Sequence, residues 1–144
     1  GLWGLEGEAA DLSRVRGVDT TDTVDAARDA AVALARYTGG AVVVSGEVDL
    51  ITDGTTVAKS HGGSPLMSKI TGCGCSQGGV LAVYVCVTDP FTAAVCGTAV
   101  YNVAGTRAAA VADAPASFKV AFIDELYRAT AQDIANNQLE LEEA

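Results

Sequence analysis

Thr38-Gly39-Gly40-Ala41-Val42-Val43-Val44 marks a change of period, and the fold class is read from it. Upstream, Val24, Ala27, Ala31, Leu34 and Ala35 recur at helical spacing, while Asp25, Arg28, Asp29 and Arg36 occupy other faces. Thr20-Thr21-Asp22 offers N-capping side chains, and Gly39-Gly40 stops the helix in the manner of a C′ glycine, so residues 24–37 are expected to be helical. Downstream, residues 41–44 form a short β-branched run with no alternation, which is how a strand buried on both faces of a parallel sheet reads. Helix, glycine turn and buried strand together make half of a βαβ unit. The expected class is α/β.

Working outward, Val48-Asp49-Leu50-Ile51-Thr52 and Thr55-Thr56-Val57-Ala58-Lys59 flank Asp53-Gly54, a hairpin signal because a primed turn needs positive φ. Polar outward side chains place that hairpin at one end of the sheet. Residues 60–74 read as a loop, and a helix of small residues is expected from Cys75 onward. Asp89 then caps a helix with Pro90 at its first position, running to about Val111, and Ser117 opens another through Phe118, Ala121, Phe122 and Leu126. The sequence reads as part of one domain, with residues 1–19 as lead-in and 136–144 as a polar tail expected to fray. There is no internal repeat.

Composition narrows the function. The 144 residues carry 9 Lys+Arg against 18 Asp+Glu, a net charge of -9, with 49% hydrophobic and 19% charged residues. Disorder is excluded by that hydrophobicity, and a phosphate-backbone binder would need a basic face. No nucleic-acid partner is expected. Residues 1–17 mix charged and apolar positions, unlike a secretory signal. The longest apolar run, residues 78–87, falls short of the roughly 20 residues a membrane span needs, so no membrane partner is expected. Cys73, Cys75, Cys86 and Cys96 read as buried, reduced thiols, which places the chain in the cytoplasm.

Chemistry concentrates in Ser68-Lys69-Ile70-Thr71-Gly72-Cys73-Gly74-Cys75, directly before a helix. Alternate glycines let backbone approach a ligand, and a helix start presents unpaired N–H groups at a positive dipole end. Gly72, Cys73, Gly74 and Cys75 can therefore form an anion cradle, although a Gly-x-Gly before a helix is a packing turn about as often. Cys75 at the helix mouth is either a thiol whose pKa the dipole lowers, poised as base or nucleophile, or a small residue that merely fits. No Gly-Lys-Ser/Thr follows at P-loop spacing. Two thiols one residue apart, without a second pair, are poor zinc evidence. His61 is the sole histidine, so a hydrolytic triad has little support, and it reads as a solvated loop residue. Ser45, in Ser45-Gly46-Glu47-x-Asp49, follows the buried strand at the sheet edge where open α/β folds bind ligands; it can bond a phosphate or cap the turn.

Four segments share a resemblance. Val43-Val44-Ser45-Gly46-Glu47-Val48-Asp49-Leu50-Ile51-Thr52-Asp53-Gly54 resembles the Val-Thr-Gly-Glu-x-Asp-x-Ile-Thr-Asp-Gly stretch of hydroxyethylthiazole kinases. Gly63-Ser64-Pro65-Leu66-Met67 followed by Ile70-Thr71-Gly72-Cys73-Gly74-Cys75 is similar to that family's Gly-His-Pro-Leu and Val-Thr-Gly-(Thr/Ala)-Gly-Cys loop. Ala116-Ser117-Phe118-Lys119-Val120-Ala121-Phe122-Ile123-Asp124 and Arg16-Gly17-Val18-Asp19-Thr20 resemble two further family motifs, in the right order. The resemblance implies the C-terminal portion of a ribokinase-like three-layer αβα fold. It also implies phosphorylation of the hydroxyl of 4-methyl-5-(2-hydroxyethyl)thiazole by Mg-ATP in thiamine salvage.

Carried over by position, the resemblance makes Ser45 an ATP contact and Gly72 a thiazole contact. It makes Gly72, Cys73 and Gly74 the anion hole, and Cys75 the residue that orients or deprotonates the substrate hydroxyl. Family members are trimers close to twice this length, and the matched half lacks most of the thiazole pocket and the metal-associated carboxylates. Ser64 stands where the family has His, and Cys73 where it has Thr or Ala. The implied partners are a thiazole alcohol and either a homotrimer or the other half. The competing expectations are a non-catalytic remnant that only folds or assembles, and a kinase for another small alcohol.

Overall fold

The computed structural model describes residues 24–144; the capping cluster at residues 20–22, the 16–20 motif and the 1–19 lead-in lie outside them. Helix α1 spans Val24–Thr38. It ends as its glycines dictate: Gly39 takes φ +67° and its N–H donates to the Ala35 carbonyl at 2.9 Å. Strands β1 (Val42–Val44), β2 (Asp49–Thr52) and β3 (Thr56–Ser60) follow. A 3-10 turn, Pro65–Lys69, leads to α2 (Cys73–Tyr84), α3 (Pro90–Ala109), α4 (Pro115–Arg128), α5 (Ala131–Ala135) and β4 (Leu139–Glu143).

The sheet is four-stranded in the order β1-β2-β3-β4, antiparallel throughout. Period-2 alternation sends Leu50 and Val57 to one face, against Ala31 and Val32 of α1. Ile51 and Ala58 go to the other face, against Ala94 of α3. Helices therefore cover both faces, giving three layers. That double cover, and not a parallel neighbour, explains the unalternating run in β1, which pairs with β2 antiparallel and is half-buried instead of sealed. A larger core lies beyond α3, where Tyr101 meets Phe122 edge-on at 5.3 Å and Phe118 stacks on Phe122 at 5.9 Å.

Five further expectations are corrected. The hairpin occupies the middle of the sheet, because the tail does not fray: Leu-Glu-Leu-Glu-Glu forms β4 and covers the β3 edge. Arg28 holds that strand from α1, its Nη2 donating to the Glu143 carbonyl at 2.9 Å. The turn is not a two-residue primed turn. Only Gly54 has positive φ (+90°), and the Asp53 carboxylate accepts from the Thr55 and Thr56 amides at 2.8 and 2.7 Å. Finally, α2 begins at Cys73, and α4 begins at Pro115, ahead of Ser117.

Candidate active site

Gly72 is the N-cap of α2, in the left-handed region at φ +92°, with no side chain capping the helix. The first intrahelical donor is Ser76, whose N–H reaches the Gly72 carbonyl at 2.9 Å. The amides of Cys73, Gly74 and Cys75 therefore belong to the first turn, which has no helical acceptor for them. Gly72, Gly74 and Cys75 are exposed. A Cβ built on Gly72, Gly74, Gly78 or Gly79 would meet nothing within 4 Å, so ligand atoms can approach this backbone directly.

The two thiols of the loop differ. Cys75 is an exposed free thiol at the third helical residue. Cys73 is half-buried against the Tyr101–Phe118 core; burial pushes its thiol up, and the nearby Asp49 charge adds to the rise. Behind this turn the Tyr101 hydroxyl donates to Ser76 Oγ at 2.9 Å, tying α2 to α3. Exposure of Cys75 and Cys86 corrects the expectation of four buried thiols; all four cysteines are free. Lys69 ends the 3-10 turn, exposed.

Ser45 is exposed where β1 ends. Its neighbour Gly46 donates its N–H to Asp49 Oδ1 at 3.0 Å. Asp49 is buried and opens β2; its Oδ2 accepts from Asn102 Nδ2 at 3.0 Å. The same Asn102 nitrogen donates to Ser60 Oγ at 3.0 Å, as does Asn137 Nδ2. Burial raises the Asp49 pKa, and the hydrogen bonds from Gly46 and Asn102 pull the other way. Asp49 thus touches the segment bearing Ser45, while its charge is felt at the first residue of α2. Sequence reading missed Asn102 and gave Asp49 no role; the available signal was a lone Asn inside the apolar run of α3.

Gly72, Gly74 and Cys75 lie on exposed surface, outside the cavity beside His61. That cavity, of about 420 Å³, is lined by His61, Thr106, Arg107, Asp133, Asn136 and Asn137. His61 is no solvated loop residue: it is half-buried, with Nε2 3.0 Å from Glu140 Oε1. Among the described residues, no three His, Cys, Asp or Glu side chains group to hold a metal ion. No helix among them is long and apolar enough to cross a membrane.

The Hydroxyethylthiazole kinase family model matches residues 4–132. A hydroxyethylthiazole kinase of Bifidobacterium longum (strain DJO10A) is 44% identical over 155 residues, covering 96% of this chain and 49% of its own length. One of Gemmatimonas aurantiaca is 40% identical, covering 93% of this chain and 51% of its own. A solved structure of a hydroxyethylthiazole kinase protein from Pyrococcus horikoshii OT3 superposes with TM-score 0.75 at 28% identity, over 83% of this chain and 47% of that one. The chain spans about half the length of the relatives it matches. Sequence motifs, three-layer architecture and these likenesses agree: the chain belongs to the hydroxyethylthiazole kinase family.

Proposed function

We propose that this chain is the nucleotide- and phosphoryl-handling part of a phosphotransferase acting on the hydroxyl of 4-methyl-5-(2-hydroxyethyl)thiazole, with ATP as donor, in thiamine salvage. The observation that carries the reading is the open start of α2, where the Cys73, Gly74 and Cys75 amides have no helical acceptor, no side chain caps the helix, and a Cβ on Gly72 or Gly74 would meet nothing within 4 Å. Bound ATP supplies the transferable phosphoryl group. The chain's own part is electrostatic: those amides and the helix dipole offset negative charge as it develops. Ser45 is the candidate for holding the nucleotide, and Gly72 lets the alcohol approach the backbone. Exposed Cys75 orients the hydroxyl; a thiol is a weaker general base than a placed carboxylate, so positioning is its main part.

The Mg2+ implied by the resemblance has no ligand set among the described residues. Family likeness extends the reading to a homotrimer in the cytoplasm. Exposed Val83, Val87, Val120, Ile123 and Tyr127 support assembly, and four free thiols suit a reducing compartment.

An assay of ATP-dependent phosphorylation of the thiazole alcohol tests the proposal. Cys75→Ala is expected to lower kcat by about ten- to a hundredfold with the fold intact. Unchanged turnover would overturn the role of Cys75. The exposed apolar side chains of Val83, Val87 and Tyr127 suit a second reading, a non-catalytic part that only folds or assembles. That reading predicts a folded chain that never turns over, whereas turnover of a different small alcohol would keep the chemistry and change the substrate.

A further inference from the structure

We propose that Asp49 and Asn102 are a positioning pair that holds the Ser45 segment and the approach to Gly72 in fixed relation. The inference rests on the functional reading above and extends it to two residues to which that reading gives no ligand contact. One buried asparagine reaches three parts of the fold through its side chain and its backbone. Asn102 Nδ2 donates to Asp49 Oδ2 and to Ser60 Oγ, each at 3.0 Å. Its backbone carbonyl accepts from the Gly63 amide at 3.0 Å, and the same amide donates to Thr106 Oγ1 at 2.9 Å. Asp49 completes the chain by accepting from Gly46 at 3.0 Å. Gly46 follows Ser45, and Gly63 opens the segment running through Ile70 to Gly72.

A buried carboxylate bonded to neutral donors is a costly way to join two layers, since apolar side chains of similar volume would do so without desolvating a charge. What the charge adds is direction. A carboxylate accepts a short, oriented bond from a backbone N–H, which an apolar contact cannot replace. Close packing leaves the Gly63 side little slack: a Cβ on Gly63 would lie 3.1 Å from Asn102 Oδ1, and one on Gly105 would lie 3.0 Å from Gly63 Cα. A shift of Asn102 is therefore passed to both segments together.

The test exchanges the two groups. Asp49→Ala and Asn102→Ala each remove one end. The double variant Asp49→Asn with Asn102→Asp keeps one carboxylate and one amide in reversed order. The carboxamide introduced on β2 still accepts from Gly46 through its oxygen, and its nitrogen donates across to the carboxylate introduced on α3. Two quantities are read on the full chain, amide hydrogen exchange at Gly46 and Gly63 and the Kd for ATP. Each alanine variant is expected to speed exchange at Gly46 by about ten- to a hundredfold, and to weaken ATP binding roughly tenfold. The double exchange is expected to return both to within about threefold of the parent. Weakened ATP binding with Gly46 still protected, or a folded double variant as loose as the single ones, overturns the pair. If neither alanine variant folds, the double exchange decides alone: parent-like protection of Gly46 upholds the pair, and failure to fold overturns it. A parent chain that binds no ATP would instead defeat the functional reading, while the exchange rates would still judge the pair.

Discussion

Two glycines with nearly the same backbone show how surroundings decide the effect of one methyl group. Gly54 (φ +90°) and Gly72 (φ +92°) both sit where L side chains are strained. At Gly54 a Cβ would also lie 2.6 Å from Arg36 Cγ and 3.0 Å from the Arg36 nitrogen, and Arg36 Nε already donates to the Gly54 carbonyl at 2.7 Å. Gly54→Ala is expected to lower unfolding free energy by about 1–3 kcal/mol in a urea titration. Gly72→Ala pays only the backbone strain, about 1 kcal/mol, because its Cβ meets nothing; its larger expected effect is weaker ATP binding. Asp133 gives a pH prediction. Hydrogen bonds first from Arg107, then from Thr130, hold its carboxyl down at about 2. A depressed carboxylate stabilises the fold above the ordinary carboxylate range and loses that contribution as pH falls through about 2. Arg107→Gln should move the Asp133 carboxyl resonance midpoint back up in an NMR titration. Ser45 and Cys75 stood out in the sequence as candidates because motifs are local. Asn102 did not, since its bond to Asp49 spans 53 residues of chain and leaves no local pattern.

Among the elements, the helices were largely legible: apolar spacing found α1, α3 and α4, and Asp89-Pro90 fixed the start of α3, where the Asp89 carboxylate accepts from Thr92 at 2.9 Å. Strand direction was not legible. An apolar run reports cover on both faces, and α1 with α3 supplies that cover to an antiparallel sheet as readily as to a parallel one. The start of α2 was misplaced because Gly72 supplies the cap through backbone geometry without a capping side chain. Helix α5 carried a signal that went unread: Thr130 accepts from the Asp133 amide, and Asp133 accepts from the Thr130 amide at 2.9 Å. Thr130→Ala is expected to lower stability by about 1 kcal/mol, measured by thermal melting. Likewise, the alternation in Leu139-Glu140-Leu141-Glu142 was a strand pattern hidden by its charge.

At the scale of the whole molecule, one strand edge and several apolar side chains stand uncovered. Strand β1 has a partner on one side only among the described residues. Val83, Val87 and Tyr127 stand at 66%, 84% and 92% exposure, apolar side chains that a neighbouring chain could cover. Sedimentation velocity is expected to show species heavier than one chain, growing with concentration; a single monomer boundary throughout would mean these surfaces need no cover. One further consequence follows from β4. Its ladder to β3 lies beside the Asn137–Ser60 bond, which links residues 77 apart in the chain. During synthesis the hairpin leaves the ribosome before β4, and its β3 edge stays bare until Leu139–Glu143 has followed. A chain cut back before Leu139 would therefore keep α1 to α5 beside a sheet with its β3 edge bare, and a chaperone that shields strand edges would bind it more readily than the uncut chain.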